Sequence, residues 1–171
     1  MIVTLDELHK VRENTDKKIV LATGTFDLFH YEHVMYLEEA KKKGDILVVA
    51  VKSNSGARLK GPHRPIIDET HRISIVDAIR FVDYSVIANY DDSVRPSLAY
   101  DNETQRQWLI MFESVFEALR PDILYHESNV PLQSARERAF KVYGIQGIPK
   151  KRGESISTSS IVEKLSHLSA S

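Results

Sequence analysis

The sequence KIVLATGTFDLFHYEH, residues 18–33, decides how this chain folds. It opens with a lysine and four apolar residues and reaches Gly24 soon after, which predicts a buried strand that enters a tight loop. A helix is predicted from Tyr31 to Lys43, because apolar residues recur there every third position and Gly44 supplies a stop. Residues 46–51 are again apolar and predict a second buried strand. Strand, helix and strand make a βαβ unit, which requires a parallel sheet and a right-handed crossover.

The same alternation of apolar runs and helical periodicity continues along the rest of the chain. Further helices are predicted at 4–13, 68–82, 104–119, 132–143 and 159–168, and further strands at 84–88, 122–125 and 145–148. We therefore predict an α/β fold over residues 1–171: a Rossmann-like single domain with a parallel five-stranded sheet and helices on both faces. Residues 1–17 are predicted to be an N-terminal helical extension. The long loops 52–67 and 89–103 are candidates for function, as long loops in compact domains usually are.

The composition excludes several classes of function. The chain has 171 residues, enough for one full core, and a formal net charge of -1, so no bulk basic field favours nucleic acid. It contains no cysteine, which excludes disulfides and thiolate chemistry. The N-terminus has no apolar signal core, and no apolar run approaches the length of a membrane span. We expect a soluble, cytoplasmic protein that binds neither nucleic acid nor a membrane.

Two histidines, His30 and His33, stand three residues apart at the predicted junction of strand and helix. A helix N-terminus offers free backbone N–H groups and a partial positive charge, and imidazoles beside it would complete a phosphate cradle. The same pair fits a metal site or two surface histidines. The residues alone leave these three readings open.

Four motifs in order carry a resemblance to a known family. They are GTFDLFHYEH (24–33), RLKGPHRPI (58–66), His71-Arg72 with Val82-Asp83, and ISTSSI (156–161). The first resembles the His-x-Gly-His loop of the cytidylyltransferase-like nucleotidyltransferase superfamily. The set as a whole resembles the heptose 1-phosphate adenylyltransferases, which make ADP-heptose, and the glycerol-3-phosphate cytidylyltransferases.

The resemblance implies that an acceptor phosphate attacks the α-phosphorus of a nucleoside triphosphate and that pyrophosphate leaves. Such a reaction needs positioning and charge stabilisation rather than a covalent intermediate. The implied catalytic residues are His30, His33, Lys60 and Arg72. The implied nucleotide-binding residues are Gly24, Thr25, Phe26, Arg152, Ser157, Thr158 and Ser159, and the implied acceptor-binding residues are Asp27 and Arg64. The partners would be a nucleoside triphosphate, with Mg²⁺ bridging its phosphate oxygens, a phosphorylated small-molecule acceptor, and a second copy of the chain in a homodimer. No metal ligand is assigned to the protein itself.

Several of these residues have an ordinary structural alternative. Ser157 to Ser159 would also make a good helix N-cap without any ligand. Arg72 could pair with Asp68 or Glu69 along its helix, and Lys60 could be one more solvated lysine. Asp27 could orient a histidine, bind the acceptor or cap its own loop. Trp108 and Phe112, four apart on a predicted helix, favour a core or interface position over a base-stacking platform.

The sequence also departs from the family pattern. Glu32 stands where the signature loop of the family has a glycine, and Asn54 stands near a position where the family often has an aspartate. After the fourth predicted strand, the family has a glycine together with acidic residues, and this sequence has HESN (126–129) instead. Residues from about 90 to 117 resemble an insertion. We expect the Glu32 carboxylate to weaken triphosphate binding unless it turns to solvent or meets a cation. The predicted donor is ATP in slight preference to CTP; the alternatives are a cytidylyltransferase for a polyol or amino-alcohol phosphate and a non-catalytic nucleotide-binding member.

Overall fold

A five-stranded parallel sheet forms the centre of the fold, as predicted. The computed structural model describes residues 1–128, 130–150, 158 and 160–163. The strands are β1 (Ile19–Gly24), β2 (Ile46–Lys52), β3 (Tyr84–Ala88), β4 (Ile123–His126) and β5 (Gln146–Pro149). Their order in the sheet is β3-β2-β1-β4-β5, and all neighbours are parallel. The chain therefore forms a Rossmann-like α/β fold.

The helices follow the predicted order with two differences. They are α1 (Leu5–Glu13), α2 (Tyr31–Lys41), α3 (Asn54–Arg58), α4 (Glu69–Asp77), α5 (Glu103–Leu119) and α6 (Gln133–Tyr143), with a 3-10 turn at Val130–Leu132. The prediction of helix up to residue 82 is wrong, because the chain turns after Asp77 and the Asp83 amide bonds to Leu47 in β2. The short helix α3 was not predicted; the Ser53 hydroxyl caps it by accepting from the Gly56 amide. Most of the helix predicted at 159–168 lies outside the described residues.

Helices cover both faces of the sheet, and each face has its own core. Because side chains alternate along a strand, Leu47, Val49 and Val51 of β2 pack with α2 and α4. Val48 and Ala50 point to the opposite face and pack with α1, α5 and α6. We call these the α2 face and the α5 face. Lys52 ends β2 on the α5 face.

The two segments predicted to be additions are integrated into the fold. In the N-terminal one, the Val3 amide donates to Ser85 O at the sheet edge, and α1 buries Leu8 completely in the α5-face core. The segment from about 90 to 117 contains most of α5, which is the crossover between β3 and β4. Trp108 and Phe112 of α5 are buried, as their predicted core position requires. None of the described helices is long and apolar enough to cross a membrane.

The carboxyl ends of the strands define where a ligand would bind. The chain moves outward from β1 to β2 and β3, then returns to the other side of β1 to form β4 and β5. Ligands of open α/β sheets bind at such a switch in strand order, beyond the carboxyl ends of the strands. The loop after Gly24 and the first turn of α2 lie at this point.

Candidate active site

A cleft of about 480 Å³ lies at the carboxyl edge of the sheet. The predicted site residues that line it are Gly24, Thr25, Phe26, Asp27, His30, His33, Lys60, Arg64 and Thr158. Arg152, Ser157 and Ser159 lie outside the described residues. Arg72 does not line the cleft. A second cavity of about 480 Å³ lies beside α1 and contains none of the predicted site residues.

The loop that enters the cleft has an unusual backbone. Phe26 and Leu28 both have positive φ angles, 54° and 45°, although neither is glycine. Such conformations cost about 1–3 kcal/mol each and cluster at functional sites. The Phe26 ring folds back over Gly24, where a Cβ atom would lie 2.8 Å from it. Gly24 is therefore required for the turn, and the turn carries the chain from β1 into the first turn of α2.

His30 and His33 form a stacked pair at the N-terminus of α2. Their ring centroids are 4.0 Å apart, and the His30 amide donates to His33 Nδ1 at 3.3 Å. Because Nδ1 accepts, the proton of a neutral His33 is on Nε2. Burial, followed by the neighbouring His30, Lys150 and Lys60, lowers the pKa of His33 to about 4. Burial also lowers the pKa of His30, with Glu32 opposing this effect and Lys150 adding to it. Both imidazoles are therefore neutral at pH 7 and act as hydrogen-bond donors.

Asp27 ties the signature loop to the segment before α4. Its buried carboxylate accepts from the amides of Ile66 (3.0 Å) and Ile67 (2.9 Å) and from Arg64 Nη1 (3.0 Å). Burial alone would raise the pKa of Asp27, but these hydrogen bonds outweigh it and lower the pKa. Of the alternatives open at the sequence level, the loop-fixing one is what the structure shows. The acceptor-binding role of Asp27 and Arg64 stays a prediction, and both side chains already have partners.

Arg72 is hydrogen-bonded within the protein itself. Its side chain is fully buried, and its guanidinium donates to the carbonyls of Thr25 (2.6 Å), Lys52 (2.8 Å) and Ile67 (2.8 Å) and to Asn54 Oδ1 (3.1 Å). It is absent from the cleft lining and makes none of the ion pairs with Asp68 or Glu69. The predicted role of Arg72 toward the triphosphate or the acceptor stays a prediction; in the structure its hydrogen-bonding groups hold the backbone that shapes the cleft.

Two further contacts bring distant parts of the chain to the loop. The Thr158 hydroxyl donates to Asp27 O at 2.9 Å, so Thr158 contacts the signature loop. Glu32 Oε2 lies 3.4 Å from Lys150 Nζ, which follows β5. The Glu32 carboxylate therefore lies beside a cation, which is one of the two conditions under which it was not expected to weaken triphosphate binding.

Sequence reasoning missed four charged residues that line the cleft: Lys52, Glu127, Arg136 and Lys150. Lys52 could have been found, since a charged residue that directly follows a buried parallel strand lies at the ligand-binding edge. Arg136 carried a weaker signal, because it adjoins Ala135 on the buried stripe of α6. Glu127 and Lys150 follow β4 and β5, which are so short that the ends of these strands cannot be located from the sequence.

The polar atoms that lack partners are concentrated in this cleft. Among the described residues, three buried side-chain nitrogen or oxygen atoms have no hydrogen-bond partner: Thr25 Oγ1, His30 Nδ1 and Arg136 Nε. All three belong to residues that line the cleft. Since buried polar groups are nearly always hydrogen-bonded to protein or water, these three atoms are available to hydrogen-bond a ligand in the cleft.

Comparison with known proteins agrees with this arrangement. A profile of the cytidylyltransferase-like family matches residues 21–164, and the chain belongs to that family. It is 32% identical over 169 residues to the bifunctional protein HldE of Helicobacter pylori (strain G27), covering 96% of this chain and 31% of that protein. For the bifunctional protein HldE of Campylobacter jejuni subsp. jejuni serotype O:6 (strain 81116) the identity is 34% with the same coverage. The chain therefore spans less than a third of the length of these relatives.

Solved structures give the same fold. The lipopolysaccharide core biosynthesis protein of Thermoplasma volcanium GSS1 is 28% identical and superposes with a TM-score of 0.56, covering 80% of this chain and 99% of that one. The pantoate-beta-alanine ligase of Francisella tularensis superposes with a TM-score of 0.66 over all of this chain and 79% of that one. At 15% identity the second match shows a common fold only.

Proposed function

We propose that this chain transfers a nucleotide monophosphate from a nucleoside triphosphate, with ATP preferred over CTP, to a sugar-phosphate acceptor and releases pyrophosphate. The observation that carries the proposal is the pair of neutral histidines at the N-terminus of α2, in the cleft that also holds the unpartnered polar atoms. A helix N-terminus with two nitrogen donors beside it is suited to phosphate oxygens.

In the proposed reaction an oxygen of the acceptor phosphate attacks the α-phosphorus. A new P–O bond forms, the bond from the α-phosphorus to the bridging oxygen of the β-phosphate breaks, and that electron pair leaves with pyrophosphate. The attacking oxygen is ionised, so no base is required. His33 would donate from Nε2 and His30 from a ring nitrogen to the α- and β-phosphates, and Lys60 would stabilise the negative charge that develops at the reacting bond. Such preorganised donors act where negative charge develops in the transition state.

Mg²⁺ is part of the proposal and would be bound with the triphosphate. No group of three histidine, aspartate or glutamate side chains that could hold a metal ion occurs within residues 1–128 and 130–150 or the described part of the C-terminal helix. Asp27 has both oxygens engaged and Glu32 faces Lys150. These residues fit an ion held by phosphate oxygens and water, which is how Mg²⁺ commonly binds with nucleotides, and it would neutralise phosphate charge.

The acceptor class rests on two observations. The loop RLKGPHRPI resembles that of heptose 1-phosphate adenylyltransferases, and its residue Lys60 lines the cleft. The Thermoplasma protein of similar fold is described as a lipopolysaccharide core biosynthesis protein, which supports a sugar substrate here. A cytidylyltransferase for a polyol or amino-alcohol phosphate and a non-catalytic nucleotide-binding member are the competing functions.

The test is pyrophosphate release with Mg²⁺ across a panel of donors and acceptors. ATP and CTP are each combined with a heptose 1-phosphate, glucose 1-phosphate, glycerol 3-phosphate and phosphoethanolamine. We expect the highest kcat/KM with ATP and a sugar 1-phosphate. The highest value with CTP and glycerol 3-phosphate or phosphoethanolamine would support the cytidylyltransferase. Triphosphate binding without pyrophosphate release from any pair would support the non-catalytic alternative.

A further inference from the structure

Lys52 places a positive charge deep in the cleft on the α5 face. It ends β2, and its Nζ lies 6.0 Å from the centroid of the Phe112 ring. Its side chain has no hydrogen bond or ion pair with any residue that the structure describes. Burial, followed by the charges of Lys60 and Arg136, lowers the pKa of Lys52 to about 8, so the side chain is still mostly protonated at pH 7.

Arg136 places a second positive charge beside the first. It is 8% exposed, and its guanidinium lies 5.9 Å from the centroid of the Trp108 ring. Nη1 donates to Glu127 O at 2.9 Å, whereas Nε is buried without a partner. The Glu127 carboxylate is the acidic group on this side of the cleft, and it forms no ion pair with either cation.

The other described cations of the cleft are in a different situation. Arg64 bonds to Asp27 and Lys150 faces Glu32, so each already has a carboxylate. Lys60 also lines the cleft, and its charge lowers the pKa of both His33 and Lys52. Lys52 and Arg136 share one carboxylate, Glu127, whose charge acts on Arg136 without forming an ion pair, and two partly buried cations held in this way are costly unless an anion completes the site.

The walls of this region indicate the size of the anion's carrier. Trp108 and Phe112 lie 5.8 Å apart, are both buried, and line the cleft next to the two cations. The two rings are tilted by 52° to each other and form an apolar wall at the base of the cleft, with Lys52 beside Phe112 and Arg136 beside Trp108. A small ring with one charged phosphate substituent matches this combination.

We propose that Lys52 and Arg136 form the subsite that binds the phosphate group of the acceptor, a phosphomonoester whose body lies against Trp108 and Phe112. This deepens, and rests on, the proposed transfer reaction. The triphosphate then binds on the α2 face and the acceptor on the α5 face, and the attack crosses the carboxyl end of β1. Arg64, which was predicted from the sequence to bind the acceptor, remains hydrogen-bonded to Asp27.

The experiment measures two affinities in the full chain. ATP with Mg²⁺, and separately glucose 1-phosphate and glycerol 3-phosphate, are titrated into the wild type, Lys52→Met and Arg136→Met. Lys141→Met, an exposed lysine of α6, is the matched control. Glucuronate serves as an anionic probe without phosphate. We expect each cleft variant to lose at least thirtyfold in affinity for the phosphate esters and less than threefold for ATP. Glucuronate should bind more weakly than glucose 1-phosphate.

A thermal melt of each variant separates binding from folding. Methionine replaces most of the unbranched apolar stem and removes a buried charge, which offsets the loss of the Arg136 hydrogen bond to Glu127 O, so neither cleft variant should melt below the wild type by more than the control does. Equal losses for ATP and the phosphate esters would overturn the proposal, as would unchanged ester affinity or no measurable ester binding by the wild type. A third outcome separates the two proposals: no donor and acceptor pair releases pyrophosphate, but phosphate-ester binding still requires Lys52 and Arg136. That result would reject the proposed transfer reaction and support the proposed subsite.

Discussion

The α2 face and the α5 face of the sheet both contribute to the cleft, but their charges are held differently. On the α2 face each charged group has a protein partner: Asp27 bonds to Arg64 and to two amides, and Glu32 faces Lys150. On the α5 face, neither Lys52 nor Arg136 forms an ion pair with a carboxylate of the described residues, although the charge of Glu127 acts on Arg136. The first face is preorganised by the protein, and the second is completed only by a ligand. Substitutions on the two faces should therefore separate function from stability in different ways.

The largest effect is expected from His33→Asn on the α2 face. The Asn oxygen can still accept from the His30 amide, but the donor at Nε2 is lost. Turnover should fall by about a hundredfold or more, the scale of one transition-state donor, while the KM for the acceptor changes little. Steady-state kinetics with the best donor and acceptor pair measures both. Normal turnover by this variant would show that the phosphate-binding role of His33 is wrong.

Arg72→Met should show that preorganisation of the α2 face depends on a buried cation. Four partly buried acceptors would each lose a donor, and the unfolding free energy should fall by about 3 kcal/mol. Arg80→Met, which removes an exposed arginine from the turn after α4, should change it by less than about 0.5 kcal/mol. Urea unfolding of both variants provides the comparison. Equal stability of the two would mean that these hydrogen bonds contribute nothing net.

The pH dependence of stability should report on the partly buried His33 of the α2 face in the wild-type protein. The pKa of His33 is about 4 in the folded protein, below its ordinary value near 6.5. Between these values the unfolded chain binds a proton that the folded chain does not. Stability should therefore decrease as the pH falls from about 6.5 to 4.

Thermal melts from pH 7.5 to 4 provide the measurement for this third prediction. His33→Asn should have a shallower dependence than the wild type, and His71→Asn, which changes an exposed histidine, should keep the wild-type slope. Identical slopes for the wild type and the His33 variant would contradict the lowered pKa.

The smallest effect is expected from Glu32→Gln. An unscreened carboxylate about 5 Å from a phosphate would weaken binding by about 3 kcal/mol at an effective dielectric near 20. Glu32 is partly exposed and lies 3.4 Å from Lys150, and pairs of this kind are screened and weak. We therefore expect triphosphate affinity to rise by less than about tenfold. Lys150→Met should act in the opposite direction, as calorimetry with ATP and CTP would show. Weaker binding by the glutamine variant would make Glu32 a working part of the site.

The fold and the α2 face were predictable because their signals are local in the sequence. Buried parallel strands are continuous apolar runs, and Tyr84–Ala88 was predicted at its observed bounds. The loop from Gly24 to His33 contains its own turn, its helix start and its two imidazoles. The helix α3 was missed, since five residues are too few to show an apolar period.

The α5 face was not predictable in the same way. Lys52 and Arg136 are far apart in the sequence and meet only because β4 returns to the other side of β1. Arg72 presented a different difficulty. An arginine near the start of a helix ordinarily points to solvent, and its burial depends on carbonyls from three separate segments. Neither the sequence spacing nor the charge of these residues contains that information.

One of those hydrogen bonds links the two halves of the cleft. A single nitrogen, Nη1 of Arg72, donates both to Thr25 O in the signature loop and to Lys52 O at the end of β2. We expect a shift of either carbonyl on binding one of the proposed substrates to affect the other carbonyl through this shared donor. The two proposed substrates would then bind with a coupling free energy, which thermodynamic linkage makes reciprocal. If bound triphosphate changes the affinity for the acceptor by some factor, bound acceptor changes the affinity for triphosphate by the same factor.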